Sequence, residues 1–132
     1  MSQIIDSNSQ IVLTTGMFDL LKAQITRKKL SPENEERIKS ELKSARQVLR
    51  KDLPAGVVDV YKSVTIIDME NSKEYTYHFV PPNVAKTKHG TLSILSDPGL
   101  ALLGHCKGSI IYWQTTDGEK SFQIENVSDI IG

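Results

Sequence analysis

Two periodicities divide this chain. Up to about residue 53 the apolar positions recur every three to four residues, and beyond it they alternate every second residue. Phe18, Leu21 and Ile25 predict a first helix from Met17 to about Lys29, capped by Thr14 or Thr15, with Arg27, Lys28 and Lys29 complementing the helix dipole in the last turn. Leu30-Ser31-Pro32 breaks the pattern. Ser31 is a cap and Pro32 a first helical residue for a second helix running to about Lys51, with Glu33, Glu35 and Glu36 in its first turns. Ile38, Leu42, Ala45 and Leu49 fall on one apolar stripe of that helix. Two amphipathic helices joined by a tight turn hide their stripes by packing antiparallel. The expectation is a helical hairpin, a short coiled coil with an arm of roughly 20 Å at about 1.5 Å per residue.

Asp52-Leu53-Pro54-Ala55-Gly56 reads as a boundary between residues 1–53 and 54–132. A strand is predicted from Ser63 to Asp68, then a turn over Met69 to Lys73. Tyr75, Tyr77 and Phe79 alternate with polar residues in a second strand, which Pro81-Pro82 ends. A polar loop from Asn83 to Gly90 leads to a third strand, Thr91 to Leu95. Ser96-Asp97-Pro98-Gly99-Leu100-Ala101-Leu102-Leu103-Gly104 then predicts one short helix, with Asp97 as its cap, Pro98 in its first turn and Gly104 as its left-handed stop. This helix is too apolar for a surface turn, so it is either core or a docking knob. Strands at Ser109–Trp113 and Lys120–Ile124 flank a Thr116-Asp117-Gly118-Glu119 turn, and Val127, Ile130 and Ile131 finish the sheet. The order β-β-β-α-β-β makes the second part an antiparallel sheet with one short helix, and the whole chain α+β.

Composition adds little about partners, because 16 basic and 16 acidic side chains cancel. The halves differ: residues 1–53 carry 10 basic and 7 acidic groups, and residues 54–132 carry 6 and 9, so a basic front precedes an acidic back. Cys106 is the single cysteine, which excludes an internal disulfide and fits a reducing compartment. No apolar run has the length of a membrane span, and Met1-Ser2-Gln3-Ile4-Ile5-Asp6 lacks a signal-peptide start, so the expected location is the cytoplasm, with no membrane partner.

The stretch from Ser96 to Gly104 resembles the Ser/Ala-Pro-x-x-x-Ala-Leu-Ile/Leu-Gly signature of the bacterial Gre transcript-cleavage factors and the related Rnk regulators of nucleoside diphosphate kinase. Val64-Thr65-Ile66-Ile67-Asp68 with Glu74-Tyr75-Thr76-Tyr77 is similar to the paired first strands of that family's C-terminal domain. Ile111-Tyr112-Trp113 is similar to the segment after its signature helix, with the tryptophan closer to Rnk. Leu13-Thr14-Thr15-Gly16 followed by Leu20-Leu21 resembles the opening of the cleavage factors' first helix. The resemblance covers nearly the whole chain. It implies an FKBP-like C-terminal domain that docks on the rim of the secondary channel of core RNA polymerase, while the hairpin enters the channel. Ser96, Asp97, Pro98, Gly99, Leu100 and Leu102 would then lie in the docking surface. The family proline aligns with Asp97, so Pro98 stands one place late.

The same resemblance makes the hairpin tip decisive. Cleavage factors carry an Asp-Leu-x-Glu-Asn-like pattern there, whose acidic pair helps hold a second Mg²⁺ for the polymerase's own RNA hydrolysis. Here the match is Leu30-Ser31-Pro32-Glu33-Asn34, with Lys29 in the aspartate's place and shorter arms. Glu33, Glu35 and Glu36 are the tip acids, and they also suit a helix N-terminus on dipole grounds alone. Lys39, Lys43, Arg46 and Arg50 form a basic row at helical spacing, which by resemblance would approach nascent RNA or the channel wall, and otherwise is a solvated face. The first expectation is a non-cleaving, Rnk-like regulator occupying the secondary channel. It has no catalytic residue, cofactor or small-molecule substrate of its own. The alternatives are a cleavage-stimulating elongation factor, in which Mg²⁺ is shared with the polymerase, and a peptidyl-prolyl isomerase suggested by the FKBP-like fold alone.

His105-Cys106 invites a metal or nucleophile reading, but His78 and His89 lack ligand spacing and there is no cysteine pair. A partly buried thiol and surface imidazoles are the expectation. Tyr75, Tyr77 and Phe79 are expected to be core.

Overall fold

The computed structural model describes residues 10–85, 90–115 and 118–130, without the side chains of Gln114 and Thr115. His89, Thr116, Asp117 and Ile131, each named above, lie outside the described residues, as do residues 1–9. The fold is α+β, with three α-helices and two sheets among the described residues.

A three-residue strand, β1 (Val12–Thr14), runs directly into helix α1 (Thr15–Thr26). Thr14 is the cap, and its Oγ1 accepts from the Met17 amide at 3.2 Å. The helix stops at Arg27, whose amide reaches the Ala23 carbonyl, and Lys28 takes a left-handed φ of 55°. Arg27, Lys28 and Lys29 therefore form the turn rather than the last helical turn. Helix α2 (Pro32–Ser44) starts as the sequence predicts, with Ser31 Oγ accepting from the Asn34 amide at 3.2 Å.

Helix α2 ends well before Lys51. Residues Arg46–Val48 form strand β2, which pairs in parallel with β1 through Val12–Arg46, Leu13–Gln47 and Thr14–Val48. Arg46 N–H donates to the Ile11 carbonyl at 2.9 Å, and Gln10 Nε2 caps the Ser44 carbonyl at 2.6 Å. These non-local bonds satisfy the backbone better than continued helix, a tertiary override of a helical pattern. Leu49 consequently leaves the apolar stripe and is 58% exposed. A 3₁₀ turn at Arg50–Asp52 follows.

The larger sheet has strands β3 (Lys62–Asp68), β4 (Glu74–Val80), β5 (Thr91–Ser93), β6 (Ile110–Thr115) and β7 (Gly118–Asp129), in the order β5-β4-β3-β7-β6. Helix α3 (Asp97–Leu102) lies between β5 and β6. The sheet is mixed rather than antiparallel, because β5 pairs in parallel with β4. The proline-ended β4 enters a 3₁₀ turn at Pro82–Val84, and β5 runs the same way beside it. The last two predicted strands are one, β7, with a bulge opposite Thr65/Ile66.

Val64 and Ile66 point to the same face as their partners Tyr77 and Tyr75. On that face one buried cluster joins both parts of the chain. Ile11, Leu13, Met17, Leu21 and Ile38 pack with Val58, Val64, Ile66, Phe79, Ile94, Leu100, Leu102, Ile111, Phe122 and Ile124. Phe79 is fully buried, while Tyr75 and Tyr77 are half-buried against the cluster.

Candidate functional site

Helix α3 owes its shape to its own short sequence. Ser96, rather than Asp97, is the cap: its Oγ accepts from the Gly99 amide at 3.3 Å and donates to the Ser93 carbonyl at 2.6 Å. A Cβ on Gly99 would stand 2.2 Å from the Ile94 carbonyl oxygen, so only glycine lets the helix lie this close to the end of β5. Gly104 has φ +85° and a Cβ there would stand 2.8 Å from Ile11 Cβ. Its amide donates to the Val58 carbonyl at 3.1 Å and its carbonyl accepts from Val12 at 3.0 Å. The stop of α3 is thus also the seam that holds β1.

This packing divides the expected docking residues. Gly99, Leu100 and Leu102 are core, with Leu100 1% and Leu102 0% exposed. Ser96 and Pro98 are half-buried and Asp97 is exposed. Of the predicted surface, only the N-terminal edge of α3 can touch a partner.

The tip acids lie in the first turns of α2. Glu35 is held between two lysines, 3.1 Å from Lys39 Nζ and 3.5 Å from Lys28 Nζ, and its carboxyl is held below the usual range chiefly by the hydrogen bond from Lys39. Glu33 and Glu36 are exposed. Among the described residues no group of three or more His, Cys, Asp or Glu side chains is placed to hold a metal ion. A cation at this tip would therefore draw most of its ligands from elsewhere.

The basic row does not form one stripe. Lys39 and Lys43 stand on α2, Arg46 on β2, and Arg50 in the 3₁₀ turn, where its guanidinium lies 3.7 Å from the carboxylate of Asp59. Asp59 is buried, and that burial pushes its carboxyl above the ordinary range, against the opposing pull of the Val60 amide and Arg50. One stripe would need a helix running past Ser44, where α2 ends.

Three polar contacts absent from the sequence reading seat α2 on the sheet and α3. Asn34 Nδ2 donates to Asp97 Oδ1 at 2.8 Å. Arg37 Nη2 donates to the Tyr112 carbonyl at 2.5 Å, using an acceptor on an edge strand. Glu41 Oε2 accepts from His105 Nε2 at 2.9 Å. His105 is only 6% exposed rather than at the surface, and Cys106, expected to be partly buried, is exposed. Arg37 and Glu41 are spaced to share one face of α2, which could have marked them, but nothing local in the sequence names partners 63 to 75 residues away.

With this geometry in hand, comparison with known proteins places the chain. Residues 53–129, which contain α3 and the whole larger sheet, match the family described as transcription elongation factor, GreA/GreB, C-term. Transcription elongation factor GreA of Vibrio parahaemolyticus is 35% identical over 75 residues, covering 57% of this chain and 48% of its own length. That of Baumannia cicadellinicola is 33% identical over 88 residues, covering 66% of this chain and 56% of its own. The solved structure of a prokaryotic transcription elongation factor GreA/GreB from Nitrosomonas europaea superposes with a TM-score of 0.68 at 25% identity, over 90% of this chain and 98% of that one. The chain belongs to the GreA/GreB transcription elongation factor family. It spans about half the length of the curated relatives it matches.

Among the described residues, no helix is long and apolar enough to cross a membrane.

Proposed function

We propose that this chain is a Gre-type elongation factor that acts through RNA polymerase, with the polymerase supplying the chemistry. The observation that supports this most is the family match over residues 53–129, which contains the Ser96-capped, Gly104-terminated α3. In this reading the sheet domain, FKBP-like in the family, docks through the exposed edge of α3 at Ser96, Asp97 and Pro98. Helices α1 and α2 form the hairpin that meets the secondary channel.

The relatives named GreA favour a factor that stimulates cleavage of backtracked RNA over the Rnk-like reading. Glu33 and Glu36 are the acids available for this role. They sit three residues apart on one helix face, so both can approach a Mg²⁺ held mainly by the polymerase.

A second reading keeps a specific observation in its favour. Glu35 is engaged by Lys28 and Lys39, Lys29 stands at the family's aspartate position, and the helices of 12 and 13 residues reach only about 20 Å at about 1.5 Å per residue. Such a protein would occupy the channel without stimulating cleavage.

Core polymerase carrying a backtracked transcript, mixed with this protein and Mg²⁺, separates the readings by co-migration and transcript length. Binding with shortening that is lost in an E33A/E36A variant supports the cleavage factor. Binding without shortening supports channel occupancy. No co-migration at micromolar protein overturns both.

A further inference from the structure

Away from α3, helices α1 and α2 line an open groove of about 310 Å³. Phe18, Ile25 and Leu42 are its apolar members, and Lys22, Lys39 and Lys43 surround them. Lys22 and Lys43 are exposed, and among the described residues neither forms an ion pair. Lys22 instead lies 5.6 Å from the Phe18 ring centroid. Lys39 is already paired with Glu35 at 3.1 Å, so Lys22 and Lys43 are the cations of this patch without an ion pair among the described residues.

We propose that this groove is a docking site for an acidic amphipathic helix of a partner protein, whose apolar side chains enter between Phe18, Ile25 and Leu42 while its carboxylates meet Lys22 and Lys43. Charge complementarity selects the acidic partner, and the two-helix groove suits an incoming helix that presents apolar residues at three- and four-residue spacing. The floor favours protein over nucleic acid. Ile25 and Leu42 offer branched aliphatic surface rather than flat stacking faces, and Lys22 already occupies the one aromatic ring. This site shares no residue with the exposed edge of α3, but it lies on the two helices that the polymerase reading assigns to the channel, and the peptide test below reads it without polymerase.

The test uses a fluorescein-labelled synthetic peptide of roughly 16 residues, with leucine at helical spacing and glutamate elsewhere, followed by fluorescence anisotropy against the whole chain. Controls are a scrambled peptide of equal composition, a lysine-for-glutamate peptide, and a single-stranded RNA of similar charge. Saturable binding of the amphipathic peptide is expected, at least about 10-fold tighter than the scrambled one. K22E/K43E, at exposed positions, should lose that binding and gain the lysine peptide, with its circular dichroism unchanged. L42E should also lose binding, and K22E/K43E keeps the test decisive if L42E fails to fold. Equal affinity for the scrambled peptide, tighter binding of the RNA, unchanged binding by K22E/K43E, or no binding at about 100 μM would each overturn the proposal.

Discussion

Asn34 Nδ2 donates to Asp97 Oδ1 at 2.8 Å, joining the first turn of α2 to the first turn of α3 across 63 residues of sequence. The starts of two helices that are far apart in sequence are therefore direct partners. Removing either side chain should loosen the N-terminal end of α2 without unfolding the sheet. A double-mutant cycle of N34A and D97A should give a coupling of about 0.5–1 kcal/mol, as for an exposed pair. Amide exchange should quicken in α2 but not in β3. Additive effects would show that the contact does not seat the helix.

Gly99 carries a steric demand. G99A places a Cβ 2.2 Å from the Ile94 carbonyl oxygen, a backbone atom that cannot rotate away as a flexible side chain could. The expected loss is about 3 kcal/mol, at the upper end for overpacking. Urea denaturation should show a lower midpoint at unchanged slope. A variant as stable as the parent would mean that α3 can shift off the end of β5.

The Glu41–His105 contact predicts a difference between two substitutions. E41A leaves a buried imidazole N–H without its acceptor and should destabilise by about 1–3 kcal/mol. E41Q retains an amide oxygen that accepts the same bond and should lose much less. Equal losses would assign the effect to packing of the Glu41 stem.

Two buried aspartates should respond to pH in opposite senses. The Glu70 amide donates to Asp68 Oδ1 at 2.8 Å and, with Lys120 nearby, holds the Asp68 carboxyl below the usual range. Its stabilisation is present above the unfolded pKa and is lost as pH falls through the folded value. Burial holds Asp59 above the usual range, so its contribution is full below the unfolded pKa and declines as pH rises through the folded value. Urea midpoints followed from about pH 3 to 7 should show D68N removing part of the loss on the acid side, and D59N removing part of the decline as pH rises. Curves parallel to the parent's would refute both assignments.

Much of the architecture was legible in local chemistry. Ser31-Pro32 marked the start of α2 because a hydroxyl cap and a proline satisfy that helix end from within a few residues. Gly104 marked the end of α3 because a left-handed φ there needs glycine. The alternation of Val64 with Ile66 and of Tyr75 with Tyr77 marked the faces of β3 and β4. Other features depended on distant partners. The stripe through Leu49 is a valid helical pattern, yet Arg46–Val48 leaves the helix because β1 offers a ladder. The basic row dissolved with it.

The candidate site shows the same division. The residues of α3 were readable as one short apolar helix, but whether Leu100 and Leu102 were docking knob or core was decided by their burial in the cluster that also holds Ile11, Leu13 and Ile94. The seat of α2 on Asp97, Tyr112 and His105 had no local signature. Caps, breaks and periodicity act within about one helical turn or strand pair, so the sequence by itself determined where most elements begin and which face is apolar. Burial and polar pairing require surfaces brought together from opposite ends of the chain. Only the tertiary structure could decide which apolar face meets a neighbour, which stays open as a groove, and which charges are already paired.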